Sequence, residues 1–478
     1  MKIILINPNL VALRKDFFTT GIPYMPIGLA YIAASLRKEK IPLEVIDAFG
    51  EKPLHIRKDK DFLIFGLTKS EIIQRLPKET SMVCIYANQL TNHISILEII
   101  SAIKNFCPQV PVIILENTQA VTAYSLEMVK KQFIDAGANS ILPGEAEISL
   151  VNLILGGKVE NKNIDNLDHL EIPAWDLFPL KNYWNLHFAH GPQSSPRYLP
   201  LLTSRGCPYA CRFCFAPAAN HHQWRFRSAK NVVDEIEYFK NKFKVEEFHV
   251  EDLNPTVSDE RTRAICHEII RRKLKIRWKI VAGTKAETIK NEETLKLMAQ
   301  AGCHYISISP ETGSQELIKK MGKNFNLDHA QKLIQAMHHL KIKSQACFVL
   351  GFPGETKKDL KLTQNLIYKL TKLGVDEIVL SIITPVPGSD IYPQANLNIP
   401  LSALNFSPIW RKDYPALNKF RIKLYLQFIV WKMIYHPFKV FQQILGFLSR
   451  KYTTKMEMTA YRAFIYKWLD LKQHLARK

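Results

Sequence analysis

Ser204-Arg205-Gly206-Cys207-Pro208-Tyr209-Ala210-Cys211-Arg212-Phe213-Cys214 gathers three of the chain's eight cysteines into eight positions, spaced Cys-x-x-x-Cys-x-x-Cys. Thiolates this close grip a soft metal centre, and iron–sulfur clusters are held by cysteine thiolates. A four-iron cluster with three protein ligands leaves one iron open. A zinc site needs four ligands, usually in paired Cys-x-x-Cys form, and no second pair lies nearby. Spacing alone leaves a disulfide open. The chain opens without a secretory leader, so a reducing compartment, where disulfides are rare, is expected.

Outward from this loop, short apolar runs alternate with helical patterns. Residues 199–203, 245–251, 276–282, 304–309, 344–350 and 377–383 read as strands. Helical periodicity falls between them at 229–242, 259–272, 292–300, 314–320 with 327–340, and 357–373. Six such units predict a partial (β/α)6 TIM barrel over residues 198–395. The first strand delivers the cysteine loop at its carboxyl end, where such barrels place their chemistry.

The cysteine spacing, with aromatic Phe213 directly before the last ligand, resembles the radical S-adenosylmethionine (radical SAM) superfamily. The resemblance implies that Cys207, Cys211 and Cys214 hold a [4Fe–4S] cluster. It implies that the open iron binds the amino and carboxylate groups of SAM, and that reduction cleaves SAM to a 5′-deoxyadenosyl radical. By the same resemblance Phe213 lies near the adenine and the cluster, and Glu251 or Asp252 takes the SAM amino group. Glu311, in the run Gly302 to Ser314, lies near SAM, and Gly351 in the turn Phe348 to Thr356 brings backbone to the adenine edge. Read as residues, a carboxylate suits an ammonium group. Asp252 reads equally as an N-cap, and Gly351 as a plain turn glycine. Lys285 stands where relatives carry arginine, a point charge in place of a bidentate fork, and reads equally as a solvated lysine. Ser309-Pro310 departs from the family's Gly-Ile or Gly-Leu, and proline removes a backbone donor, so a local change of geometry is expected there.

Residues 2–7, 43–47, 82–86, 110–115 and 138–142 read as strands, with helical patterns at 28–38 and 95–106. They predict a doubly wound, Rossmann-like parallel-sheet domain over residues 1–155, with ligands at the carboxyl ends of its strands. Pro26 to Arg37, Ile46-Asp47-Ala48 and Gly144-Glu145-Ala146-Glu147 resemble the cobalamin-binding domain of one radical SAM subfamily. That subfamily includes cobalamin-dependent methyltransferases and the anaerobic magnesium-protoporphyrin monomethyl ester cyclase, so cobalamin is implied as a further cofactor. Two features depart from it. The Asp-x-His-x-x-Gly motif is absent, and Glu116-Asn117-Thr118 stands where a Gly-Gly turn is usual. His93 is expected as a solvated loop residue rather than a cobalt ligand. Residues 156–197 read as a linker, with Tyr183, Trp184 and Tyr198 packing the joint.

A length of 478 residues suits roughly three domains. The net charge is +21, and residues 411–478 hold fifteen Lys/Arg against three Asp/Glu. Such an end points to an anionic partner. No RNA-binding module is recognisable, so nucleic acid is not expected. No run of apolar residues is long enough to predict a membrane-spanning helix. Residues 396–478 are expected to be a basic helical region capping the open barrel. Within it Pro437 divides a stretch carrying Trp431, Tyr435, Phe438, Phe441 and Phe447 with Lys432, Lys439 and Arg450. Aromatic anchors and cations of this kind also suit peripheral contact with the inner face of a membrane by a cytoplasmic protein. Cys84, Cys107, Cys266, Cys303 and Cys347 are expected as small buried hydrophobes. The expected function is cobalamin-dependent methylation of an unactivated carbon in a small molecule, hydrophobic or lipid-linked, with flavodoxin or ferredoxin as reductant. A radical cyclase or oxidoreductase and a membrane-associated iron–sulfur electron carrier stand as alternatives.

Overall fold

A computed structural model describes residues 2–159, 163–392 and 398–475. Residues 160–162 of the expected linker, and 393–397 at the expected end of the barrel, lie outside the described residues.

The first domain holds β1 (Lys2–Asn7), β2 (Leu10–Leu13), β3 (Leu43–Asp47), β4 (Ile56–Asp59), β5 (Phe62–Phe65), β6 (Thr80–Ala87), β7 (Val112–Glu116) and β8 (Ser140–Leu142). Five strands form an all-parallel sheet in the order β3-β1-β6-β7-β8. Both faces are covered. Ile3 and Leu5 pack with the helix Ile27–Lys38, while Ile4 and Ile6 pack with the helix His93–Phe106. A strand buried on both faces reads as a continuous apolar run rather than an alternation, as KIILIN does. The strands β2, β5 and β4 form a separate antiparallel sheet that the sequence did not suggest. Each has four residues, and β2 finds its partner some fifty residues away.

The second domain holds β9 (Tyr198–Leu201), β10 (Ser204–Gly206), β11 (Trp224–Phe226), β12 (Glu247–Val250), β13 (Arg277–Thr284), β14 (Cys303–Glu311), β15 (Lys343–Leu350) and β16 (Glu377–Ile382). Six strands run parallel in the order β16-β15-β14-β13-β12-β9, an open (β/α)6 barrel. Its two faces differ sharply. The register aligns His249 with Lys279, Lys279 with Tyr305, Ser307 with Gln345 and Gln345 with Glu377. From β12 to β16 odd-numbered residues therefore point inward and are largely polar, while Phe248, Ile280, Ile306, Ala346 and Leu380 face the helices. The inward layer is hydrogen-bonded except at His249 Nδ1, which has no partner. Glu247 pairs with Lys279 at 3.0 Å and accepts from His249 at 2.8 Å. Tyr305 OH and Gln345 Nε2 both donate to Glu377.

The C-terminal region folds as the helices Tyr414–Tyr435, Pro437–Ser449 and Lys455–Leu475. It is built into the core. Leu424, Phe428, Tyr452, Met458 and Tyr466 are buried. The last helix crosses onto the first domain, where Tyr466 OH donates to Gly21 O at 2.9 Å and its ring lies 4.3 Å from that of Phe65. Two lysines counted as surface cations in the sequence are instead turned inward. Lys432 donates to the carbonyl of Asp376, and Lys439 pairs with its carboxylate at 3.1 Å.

Candidate active site

Three attachments fix the cysteine loop. At its start, the Thr203 amide, the Thr203 hydroxyl and the Ser204 hydroxyl donate to Asp252 at 2.8, 2.7 and 2.5 Å. The antiparallel pair β10–β11 then closes the loop that carries Cys207, Cys211 and Cys214. At its middle, Arg212 N donates to Met321 O at 3.0 Å. Gly322 beneath has φ +68°, and a Cβ there would lie 2.6 Å from Ala210 O, so the loop rests where a side chain cannot be. At its end, Phe213 enters an apolar cluster with Leu317, Met321, Val349 and Phe352.

None of the three cysteines is in a disulfide. Burial pushes the Cys211 thiol up to about 11 and Cys214 up to about 12, with Cys207 raised as well. The charges of Cys207 and Cys211 add to the rise at Cys214, so the three sulfurs share one patch, and Lys323 opposes the rise at all three. The donor chemistry, three soft thiols on one loop beside a buried ammonium that offsets negative charge, suits an iron–sulfur cluster with one open iron, although among the described residues no three such side chains are drawn together closely enough to hold a metal ion.

The remaining expected residues surround this patch unequally. Glu311 ends β14 with φ +65°, a strained value for a non-glycine residue, and its carboxylate pairs with Lys323 at 2.6 Å. Lys323 also donates to Ser309 O at 2.7 Å. The β14–β15 register slips between Ile308 and Glu311, a bulge at Ser309-Pro310 where proline has no amide to give the ladder. Gly351 has φ +75°, donates to Glu355 at 2.5 Å and accepts from Arg411 at 3.0 Å. Glu251 accepts from His190 Nδ1 at 2.6 Å. Asp252 does not cap the next helix, whose N-cap is Ser258; instead the Asp252 carboxylate ties the exit of β12 to the start of the cysteine loop. Lys285 is not free in solvent, since its ammonium lies 4.1 Å from the Tyr209 ring of the loop.

Sequence reading missed a second cluster in the barrel mouth. His190 stacks on Tyr24 at 4.4 Å, and its Nε2 lies 3.4 Å from Lys455 Nζ. Lys455 donates to Val281 O at 2.8 Å. Tyr24, His190 and Lys455 come from the first domain, the joint and the last helix, so no local spacing announces them. Cys347 is not a plain core residue either. It points inward beside Ser307 Oγ at 3.4 Å.

Residues 201–367 match the family model described as the radical SAM superfamily. That span of the chain carries the radical SAM superfamily domain. The protein is an enzyme, and its radical SAM barrel takes a [4Fe–4S] cluster and SAM. An uncharacterized methyltransferase of Pyrococcus horikoshii is 26% identical over 436 residues, 86% of either chain. The cytidylyl-2-hydroxyethylphosphonate methyltransferase of Streptomyces wedmorensis is 23% identical over 449 residues, covering 82% of this chain and 80% of its own. Among solved structures, the radical SAM methyltransferase TsrM of Kitasatospora setae, with cobalamin and [4Fe–4S] cluster bound, shares the fold. Its TM-score is 0.61 at 17% identity, over 82% of this chain and 77% of that one.

The first domain grips the radical SAM loop directly. Arg205, two residues before Cys207, pairs with Glu147 at 2.6 Å, and Arg225 on β11 pairs with Glu145 at 2.7 Å. All four side chains are buried. Against the upward push of burial, Arg205 and Arg225 hold the Glu145 carboxyl below its usual range. Gln119 accepts from Gly206 N at 3.2 Å, and Ser125 N donates to Pro387 O at 2.9 Å at the exit of β16. The carboxyl ends of both sheets therefore face each other across the radical SAM site. In the facing loops the buried hydroxyls of Thr122 and Thr384 have no partner. His93 is buried rather than solvated, its ring nitrogens on Tyr124 OH at 3.0 Å and Gln132 Oε1 at 3.1 Å. Glu116 accepts from Leu126 N and Gly144 N, and Asn117 donates to Asn88 O.

Proposed function

We propose that this enzyme methylates an unactivated carbon of a small molecule, using cobalamin held between the two facing sheet edges. The observation that carries this reading is the grip of the first domain on the cysteine loop through Arg205–Glu147 and Gln119–Gly206. The partnerless hydroxyls of Thr122 and Thr384 supply polar groups where a cofactor between the domains would lie. The names of both methyltransferase relatives support it. When bound, the cluster and SAM supply a 5′-deoxyadenosyl radical, and cobalamin supplies the methyl group.

The chain's own residues hold, orient and exclude. Cys207, Cys211 and Cys214 would bind three irons. Phe213 and Gly351 would line the adenine. Glu251 and Glu311 are the carboxylates that would meet the SAM ammonium, while Asp252 fixes the loop by its hydrogen bonds to Thr203 and Ser204. No histidine would reach cobalt from His93, whose nitrogens are engaged. The substrate would enter the polar barrel mouth beside His190 and Lys455. A flavodoxin- or ferredoxin-type reductant would deliver the electron in the cytoplasm.

One observation favours a second reading, a hydrogen-abstracting cyclase or oxidoreductase without corrinoid. Glu116 and Asn117 fill with hydrogen-bonded side chains the strand end that a Gly-Gly turn would leave open. Anaerobically reconstituted protein, reduced with dithionite in the presence of SAM and cobalamin, separates the two. Deoxyadenosine with a bound corrinoid spectrum supports methyl transfer. Deoxyadenosine without corrinoid supports the second reading. Neither product nor corrinoid, with the cluster intact, defeats both and leaves an electron carrier.

A further inference from the structure

The C-terminal helices Tyr414–Tyr435 and Lys455–Leu475 each carry two apolar stripes, one spent on the core and one facing outward, while Pro437–Ser449 between them buries only Gly446 and turns its apolar residues out. On Tyr414–Tyr435, Leu417, Leu424 and Phe428 are buried, yet Ile422, Leu426, Val430 and Ile434 are exposed at four-residue spacing. On Pro437–Ser449 the exposed set is Phe438, Phe441, Leu445 and Leu448, with Phe438 81% exposed. On Lys455–Leu475 it is Phe464, Trp468, Leu471 and Leu475. Spacings of three and four residues place each set along one side of its helix. A helix apolar on both sides has a further apolar neighbour.

The charge around these stripes selects the neighbour. Lys419, Lys423, Arg450, Lys451, Lys467 and Lys472 are exposed on or beside them. The two acidic residues on these helices are occupied. Glu457 accepts from Thr453 N and Thr454 N, and Asp470 pairs with Lys58 at 2.9 Å. The exposed charge on this face is thus of one sign. A second copy of the same face would meet it with like charge, which opposes self-association. An anionic lipid surface matches both features, taking aromatic and aliphatic side chains below the headgroups and lysines among them. No helix among the described residues is long and apolar enough to cross a membrane.

We propose that the outward face of helices 414–435, 437–449 and 455–475 docks this enzyme on an anionic lipid bilayer, lying on it without crossing. The surface differs from the one that residue counting suggests. Lys432 is buried on Asp376, half-buried Lys439 is paired with the same carboxylate, and Trp431 packs on Tyr368 at 5.1 Å, so none of these three is free for the contact.

The test is flotation of the full-length, anaerobically reconstituted protein with phosphatidylcholine vesicles, with and without phosphatidylglycerol. The protein should float with the anionic vesicles, stay behind with the neutral ones, and be released by salt. The triple variant Phe438→Asp, Leu445→Asp, Leu448→Asp should lose flotation while forming as much deoxyadenosine as the parent. Lys419→Glu with Lys423→Glu should weaken flotation without touching the apolar stripes. Wild-type protein that stays behind with both vesicles overturns the proposal. So does a stable dimer, seen by size exclusion with light scattering, that the same aspartates break. Deoxyadenosine yield is read separately, so either result leaves the proposed chemistry to its own test.

Discussion

Glu311 is held in the left-handed region beside the cluster loop, its carboxylate on a buried lysine. Strain of this kind costs about 1–3 kcal/mol and persists where the surroundings enforce it. Here the bulge at Ser309-Pro310 and the Lys323 pair enforce it. Glu311→Gln removes one charge of a buried pair and should destabilise the protein by about 3–5 kcal/mol. It should also lower deoxyadenosine formation in preparations matched for iron content; unchanged turnover would remove Glu311 from the SAM site. The resemblance pointed to Glu311, but its pairing with Lys323 lies twelve residues on and was not legible. His93 makes a pH prediction. Burial pushes its pKa down to about 4, with Gln132 opposing, whereas an unfolded histidine titrates near about 6.5. Between these values the unfolded chain binds a proton that the folded one does not, so stability rises with pH. The contribution is complete above about pH 6.5 and is lost as pH falls toward about 4, by up to about 3 kcal/mol. Thermal midpoints should therefore fall further on acidification in the parent than in His93→Gln. Parallel curves would refute the assignment.

The elements themselves were largely legible. Apolar runs located β1 and β7, because parallel strands covered on both faces are apolar throughout, whereas each barrel strand offered one apolar face toward the helices. The barrel's inner face was not legible as a layer. Glu247, Lys279 and Glu377 look like ordinary strand-edge charges until register brings them together. The turn Gly144-Glu145-Ala146-Glu147 shows the same limit. Its sequence suggested a cofactor-domain signature, and the fold spends both glutamates on Arg205 and Arg225. Arg225→Ala leaves Glu145 facing a single arginine at 3.5 Å, which should cost about 3–5 kcal/mol as a broken buried pair. Because β11 holds β10, and β10 enters the cysteine loop, reconstituted iron content should fall as well. Full iron loading in a destabilised variant would separate domain docking from loop geometry.

At the scale of the molecule, the C-terminal region is a fastening rather than an appendage. Arg462 donates to Phe18 O at 2.8 Å, Tyr466 fills the space over Gly21, and Asp470 and Gln473 hold β4. Its helical nature was legible from periodicity, but its docking was not, since Tyr466 and Phe65 are four hundred residues apart. Tyr466→Ala should cost about 3–5 kcal/mol, the price of an emptied aromatic site, measurable as a lowered denaturant midpoint. Ending the chain at residue 400 should give an insoluble product rather than a shorter enzyme; a soluble, cluster-loading fragment would contradict the packing described. The same fastening sets an order of events on the ribosome. The Rossmann-like domain keeps one face of its β2-β5-β4 sheet uncovered until the helix Lys455–Leu475, made about four hundred residues later, has emerged and folded back over it. Through all that time the cysteine loop has already been made, so a nascent chain must carry bare thiols before the finished fold can shelter a cluster.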